Sequence, residues 1–161
     1  MRIGVVSDTH DNLRNVARIV ELFNAAGVSR VIHTGDITQA KTLDVLARLD
    51  APLLGVYGNN DLERDSLENA AARYDLHLVD PPLELHLDER EILVVHDPRE
   101  LPADAFSRSR LLLHGHTHRH REKRRSGSLA FNPGECAGHM KGHNAVGVVE
   151  LASLEIELLR F

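Results

Sequence analysis

Arg2-Ile3-Gly4-Val5-Val6-Ser7-Asp8-Thr9-His10-Asp11 opens on a β-branched apolar run and closes on a polar cluster. The run has the length and composition of a buried strand. The cluster sets a carboxylate, Asp8, two positions before an imidazole, His10, and an extended segment would aim both to one side. Asp11-Asn12 can then cap a helix over Leu13–Ala26, where Leu13, Val16, Val20 and Phe23 keep helical spacing and Gly27 marks the stop. The same unit recurs along the chain. Arg30–His33 reads as a strand running into Gly35-Asp36, and Thr42–Leu49 as a helix with Leu43, Leu46 and Leu49 on its apolar side. Pro52–Tyr57 reads as a third strand, followed by Gly58-Asn59-Asn60-Asp61 and a helix over Arg64–Arg73. This alternation predicts a parallel sheet with helices on its faces.

The second half changes character. Leu83–Leu87, Glu91–Val95, Arg110–Leu113, Ser128–Phe131, Ala145–Leu151 and Leu154–Leu159 read as strands, with a short helix over Pro102–Arg108. A second sheet packed on the first, with helices outside, accounts for both halves. The 161 residues suit one domain over 1–161, with 42% hydrophobic and 27% charged residues. No apolar run approaches the roughly 18 residues of a membrane span, and Met1-Arg2 leads straight into a strand, so the expectation is a cytoplasmic chain without membrane contact. A single cysteine, Cys136, excludes a disulfide framework and an all-cysteine zinc site. The net charge of −5 and the absence of tryptophan argue against a nucleic-acid partner. The 11 histidines point elsewhere: four of them, His114, His116, His118 and His120, fall within seven residues. Histidine is the commonest metal ligand.

Polar clusters follow five of the strands: Asp8-Thr9-His10, Gly35-Asp36, Gly58-Asn59-Asn60-Asp61, His96-Asp97 and His114-Gly115-His116-Thr117-His118. Open α/β sheets bind ligands outside the carboxyl ends of their strands. Carboxylate oxygens and imidazole nitrogens suit Mn²⁺, Fe, Ni²⁺ or Zn²⁺. Asp8, His10, Asp36, Asn59, His96, His116 and His118 are too many donors for one four-coordinate site. They fit two metals that share a carboxylate, a pair that clamps the attacking and leaving oxygens of an in-line displacement.

The motifs D-x-H, G-D, G-N-x-D, a lone His and G-H-T-H occur here in this order, and Asn132-Pro133-Gly134-Glu135-Cys136 follows late in the chain. In this the sequence resembles the calcineurin-like metallophosphoesterases over essentially its whole length. The nearest likeness is to their small bacterial and archaeal phosphodiesterase branch, to which the retromer subunit Vps29 is also related. The resemblance implies an α/β fold, a four-layer α-β-β-α sandwich of two mixed sheets flanked by helices. It implies one metal on Asp8, His10, Asp36 and His118, and another on Asp36, Asn59, His96 and His116, with Asp36 bridging. Two divalent ions are expected, Mn²⁺ first and Ni²⁺, Zn²⁺ or Fe as substitutes. The reaction implied is hydrolysis of a small phosphodiester, with Asp36, Asn59, Asn60 and His96 at the catalytic positions.

Two departures stand out. Many relatives carry a His, taken as the leaving-group acid, directly after the motif Asn; here that place is Asn60, which cannot donate a proton in acid catalysis. Asp97-Pro98 stands where relatives often read Gly-His, and an added carboxylate beside the metals would repel phosphate. Such an enzyme is expected to favour esters with good leaving groups.

Other residues have plainer explanations. Asp61 holds its loop or starts the next helix, with a supporting role towards the metals as the alternative. His33 and His114, at strand ends, either pack or orient ligands. His77 and His86 read as surface residues, His139 and His143 as part of a Gly-rich loop, and Cys136 as a small buried side chain. Arg119–Arg125 holds five of the 19 basic residues and reads as a solvated hairpin, the alternative being electrostatic steering of a phosphate-bearing substrate. A Vps29-like protein-binding scaffold with a residual metal site, and a phosphomonoesterase, are the competing functions. Homo-oligomer formation is left open by the sequence, and no P-loop or dinucleotide fingerprint is present.

Overall fold

The computed structural model describes residues 1–161. Its first half runs β1 (Arg2–Val6), α1 (Leu13–Ala26), β2 (Arg30–His33), α2 (Ala40–Leu46), β3 (Leu53–Val56), α3 (Arg64–Arg73) and β4 (His77–Val79). The second half runs β5 (Leu83–Leu87), β6 (Arg90–Val94), a 3-10 turn over Pro98–Glu100, α4 (Ala105–Arg108), β7 (Leu111–Leu113), β8 (Arg121–Arg125), β9 (Ser128–Asn132), β10 (Ala145–Glu150) and β11 (Glu155–Arg160).

The strands form two mixed sheets. The six-stranded sheet has the order β11-β10-β1-β2-β3-β4 and the five-stranded sheet the order β5-β6-β7-β9-β8. β1 to β4 are parallel neighbours, while β10 is antiparallel to β1. In the second sheet β6, β7 and β9 are parallel, and β5 and β8 close its edges antiparallel.

Alternation along each strand sorts side chains into layers. Ile3 and Val5 of β1 join Ile32, Val56, Val94, Leu111, Leu113 and Phe131 between the two sheets. Val6 and Val31 face the other way, against Val16, Ile19 and Phe23 of α1 and Leu43 and Leu46 of α2. On the outer face of the second sheet Leu93, Leu112 and Ala130 pack against Ala105 of α4. The result is the expected α-β-β-α sandwich. α1 begins where Asn12 accepts the Asn15 backbone N–H at 3.2 Å and ends at Gly27 in a left-handed conformation.

Boundaries shift where local bonds decide them. α2 starts at Ala40, and Ala47–Leu49 is drawn into tight turns by Arg48 N–H to Val45 O and Leu49 N–H to Leu46 O. The helix expected over Pro102–Arg108 shortens to Ala105–Arg108. Arg121–Arg125 forms one arm of the expected solvated hairpin: it is β8, an edge strand exposed at every position and paired antiparallel to β9. Charges along an edge discourage pairing with other chains. β4 has only three residues, too few to show a pattern in the sequence.

Candidate metal centre

The carboxyl ends of β1, β2 and β3 in one sheet and of β6 and β7 in the other meet at one rim. Backbone bonds stitch their loops together: Asp8 N–H to Gly35 O (3.1 Å), His10 N–H to Asp36 O (3.1 Å), Gly115 N–H to His96 O (2.9 Å) and Cys136 N–H to Asp8 O (3.2 Å). Gly115 is required here, because a Cβ at that position would collide with Ser7 Oγ and lie 2.7 Å from Asp8 Oδ2. The chain turns sharply to aim the side chains inward. Asp8 (φ 51°), His10 (φ 40°), Asp36 (φ 59°), His116 (φ 65°) and His118 (φ 56°) all occupy the left-handed region. That region costs a non-glycine residue on the order of 1–3 kcal/mol, and such strain concentrates at functional sites.

The rim gathers all seven donors singled out in the sequence into two groups. In the first, one ligand atom from each of Asp8, His10, Asp36 and His118 lies within 4.8 Å of every other. His10 Nε2 stands 3.3 Å from Asp36 Oδ2, and His118 Nε2 stands 3.4 Å from Asp8 Oδ1. In the second, Asn59 Oδ1 lies 3.0 Å from His96 Nε2 and 2.9 Å from His116 Nδ1, and His96 Nε2 is 3.5 Å from Asp36 Oδ1. Asp36 therefore presents one carboxylate oxygen to each group.

The donor chemistry fits cations. Thr34 O, which can only accept, lies 2.8 Å from His96 Nδ1. His96 Nδ1 therefore carries the N–H given to Thr34, and Nε2 is the ring nitrogen turned to the Asn59 and Asp36 oxygens. His118 Nδ1 lies 3.0 Å from Glu135 Oε2, which leaves its Nε2 lone pair facing Asp8 Oδ1. Asp8 Oδ1 and His10 Nε2 are buried without any hydrogen-bond partner. Unpaired buried polar atoms are rare and need a reason. Acceptors converging on acceptors, with two atoms unpaired, suit divalent ions.

Electrostatics agree. Burial pushes the Asp8 carboxyl above its usual range, against the opposing Ser7 hydroxyl, which donates to Asp8 Oδ2, and the opposing His118 ring. Burial also opposes the charge on Asp36, but His10 and the Asn60 backbone and side-chain N–H groups outweigh it and hold that carboxyl well below the usual range. The Asp36 carboxylate, 3.3 Å from its Nε2, raises His10.

Supporting residues sit around this core. Asp61 accepts from the backbone N–H groups of Asp36 (3.0 Å), Gly58 (2.6 Å) and Thr38 (2.6 Å), so it fixes the loops that carry Asp36 and Asn59. His33 accepts the Gly35 N–H at Nδ1 (3.1 Å) and donates from Nε2 to Thr9 Oγ1 (3.2 Å). Its hydrogen bonds reach loop backbone and a hydroxyl, and none goes to a ligand side chain. His114 is buried beside Asn132, whose amide donates to Gly115 O at 2.9 Å. Glu135 was visible only as part of a motif, and its contact with His118 bridges residues far apart in sequence.

Asp97 does not stand as a free negative charge. Arg99 grips it at 2.5–3.1 Å, and these hydrogen bonds hold its carboxyl down at about 2. The expected repulsion of phosphate is offset accordingly. Asp97 and Arg99 line a cleft of ≈ 410 Å³ together with Asn59, His96, His116, Tyr57 and Arg64. The Arg64 guanidinium lies over the Tyr57 ring at 3.5 Å. Neither arginine belongs to a ligand motif, so the sequence did not mark them.

Residues 1–154 match the family model described as the calcineurin-like phosphoesterase superfamily domain. The chain is 30% identical over 159 residues to phosphodiesterase MJ0936 of Methanocaldococcus jannaschii, covering 96% of each protein. A solved structure described as a novel archaeal phosphodiesterase superposes with a TM-score of 0.92 at 28% identity over 100% of both chains. Vps29 of Chaetomium thermophilum superposes with a TM-score of 0.73 at 15% identity over 100% of this chain and 95% of that one, a likeness of fold alone. With residues 1–154 matched and the motif residues converging at one rim, this chain belongs to the calcineurin-like phosphoesterase superfamily.

Proposed function

We propose that this chain is a metal-dependent phosphodiesterase acting on small phosphodiesters, with two divalent ions held at the shared rim. The observation that carries the reading is the complete donor set, in which Asp36 offers Oδ2 to His10 and Oδ1 to His96. Asp8, His10, Asp36 and His118 would hold one ion, and Asp36, Asn59, His96 and His116 the other. Such ions supply Lewis acidity, offsetting charge on phosphoryl oxygens and activating water for attack on phosphorus. The protein does the positioning. Asn60 fixes the Asp36 carboxylate through N–H (2.9 Å) and Nδ2 (2.7 Å). Thr34 O and Glu135 fix the tautomers of His96 and His118. The cleft beside Asn59, His96 and His116 takes the ester, and its volume falls within the roughly 300–1,000 Å³ usual for small-molecule sites. Both arginines of that cleft are already paired, Arg64 with Asp80 and Arg99 with Asp97, so they order its walls without adding net positive charge.

The relatives' names support the diester reading. The competing scaffold role places no demand on seven metal donors, yet all seven are present and convergent. We read 1–161 as one domain and Mn²⁺ as the working metal. A cytoplasmic setting accords with a lone, buried, unpaired Cys136, and no helix is long and apolar enough to cross a membrane. The test is to strip the metals, reload with Mn²⁺, Ni²⁺ or Zn²⁺, and assay bis(p-nitrophenyl) phosphate against p-nitrophenyl phosphate. Turnover of the diester is expected, with Asp36→Asn at background. Turnover of the monoester alone would make the chain a phosphomonoesterase, and silence with every metal would favour the scaffold.

A further inference from the structure

We propose that Glu135 is a positioning residue of the metal centre: its buried carboxylate sets the tautomer and direction of His118, so that Nε2 is presented to the ion shared with Asp8. This inference rests on the metal reading above and extends it to a residue outside the donor set.

Glu135 lies in the turn after β9 and is fully buried. A carboxylate out of water is costly unless each oxygen finds a donor. Here each does. Oε1 accepts the Met140 backbone N–H at 2.6 Å, and Oε2 accepts from His118 Nδ1 at 3.0 Å. His139 Nδ1 also points at Oε2 but stands 3.7 Å away, beyond hydrogen-bond reach. His118 holds the bond, and the His139 ring stacks on it at 5.4 Å.

The consequence for His118 is specific. Its backbone is in the left-handed region and its side chain keeps 24% exposure, so packing alone does not immobilise the ring. A hydrogen bond from Nδ1–H to a carboxylate does. It leaves Nε2 as a lone pair 3.4 Å from Asp8 Oδ1, the oxygen that lacks any partner. The same turn also registers Asp8, because the next residue, Cys136, donates its N–H to Asp8 O. One turn therefore indexes both the carboxylate and the imidazole of the first group. A carboxylate partner also raises the basicity of a ligating histidine, and losing such a partner typically costs 10–100-fold in metal affinity.

Glutamine at this position has one acceptor oxygen for two donors, Met140 N–H and His118 Nδ1–H, so one of them must face an NH₂ group. The experiment is a Mn²⁺ titration of metal-free protein, followed by the EPR signal of free Mn²⁺, in a His116→Asn background that weakens the other group. Adding Glu135→Gln is expected to weaken Mn²⁺ binding about 10–100-fold; unchanged affinity overturns the proposal. A second measurement does not depend on the Glu135 variant. Nitrogen-15 histidine spectra of metal-free wild-type protein, with His118 assigned by its loss in His118→Gln, should show His118 protonated at Nδ1. Protonation at Nε2 alone overturns the proposal. If wild-type protein binds no Mn²⁺, the metal reading itself fails, while the histidine spectra still decide the Glu135–His118 contact.

Discussion

Asn60 occupies the place where a leaving-group acid would be useful, and its amide is turned inward to Asp36. It serves the carboxylate and has no proton to give. Rates should therefore fall steeply as the leaving-group pKa of aryl phosphodiesters rises. A flat dependence, or a pH profile with a distinct acid limb, would contradict this. His116 shows the cost of aiming donors inward. Its φ of 65° suits glycine far better than histidine. His116→Gly should abolish metal-dependent turnover while raising the stability of the metal-free protein by about 1 kcal/mol, read by urea denaturation. A variant less stable than wild type would show that the left-handed turn carries no strain. The identity of the donors was legible because residue type and spacing carry the chemistry. The left-handed turns were not, nor were Glu135 beneath His118 and Arg99 on Asp97, because each depends on a contact or a turn that only the assembled rim creates.

At the scale of elements, the site consists of strand ends locked by their own loops. His33 closes β2 and is fully buried between Thr9 and Gly35. Burial drops its pKa from 6.5 to about 3. Below pH 6.5 the unfolded chain takes up a proton that the folded chain refuses. The stability tied to this group is therefore complete above pH 6.5 and lost as pH falls towards 3. Between pH 6.5 and about 5 the loss from this histidine alone approaches roughly 2 kcal/mol. Metal-free wild type should lose that much more than His33→Gln when unfolding free energies at pH 7 and about 5 are compared; equal losses would contradict the neutral burial of His33. Gly115→Ala should also destabilise the fold, by roughly 1–3 kcal/mol, because the new methyl group strikes Ser7 and Asp8. Thermal melting would register it, and a melting point equal to wild type would place the contact elsewhere. β1, β2 and β3 were legible from their apolar runs and polar stops; β4 was not. β8 was legible as part of a solvated hairpin, but an edge strand of charged residues has no apolar face to reveal its period or its ends.

At the scale of the whole molecule, the donors come from both sheets: Asp8, His10, Asp36 and Asn59 from one, His96, His116 and His118 from the other. Ions held there, as proposed, would cross-link the two layers and stabilise only the assembled state. At a metal concentration 100 times the dissociation constant this amounts to about 2.7 kcal/mol, or roughly 5–10 °C for a chain of this size. Chelation should lower the melting temperature by that amount and reloading should restore it; a melting curve indifferent to chelator would deny the cross-link. The two-sheet architecture was legible from the strand-rich second half, but which strands become neighbours was not.

β1 lies between β2 and β10, with Arg2 opposite Glu150. During synthesis the strand that leads into Asp8 and His10 must wait, flanked on one side only, until nearly all of the remaining sequence has emerged. A cation site that draws on both sheets would therefore be completed late in the life of each molecule.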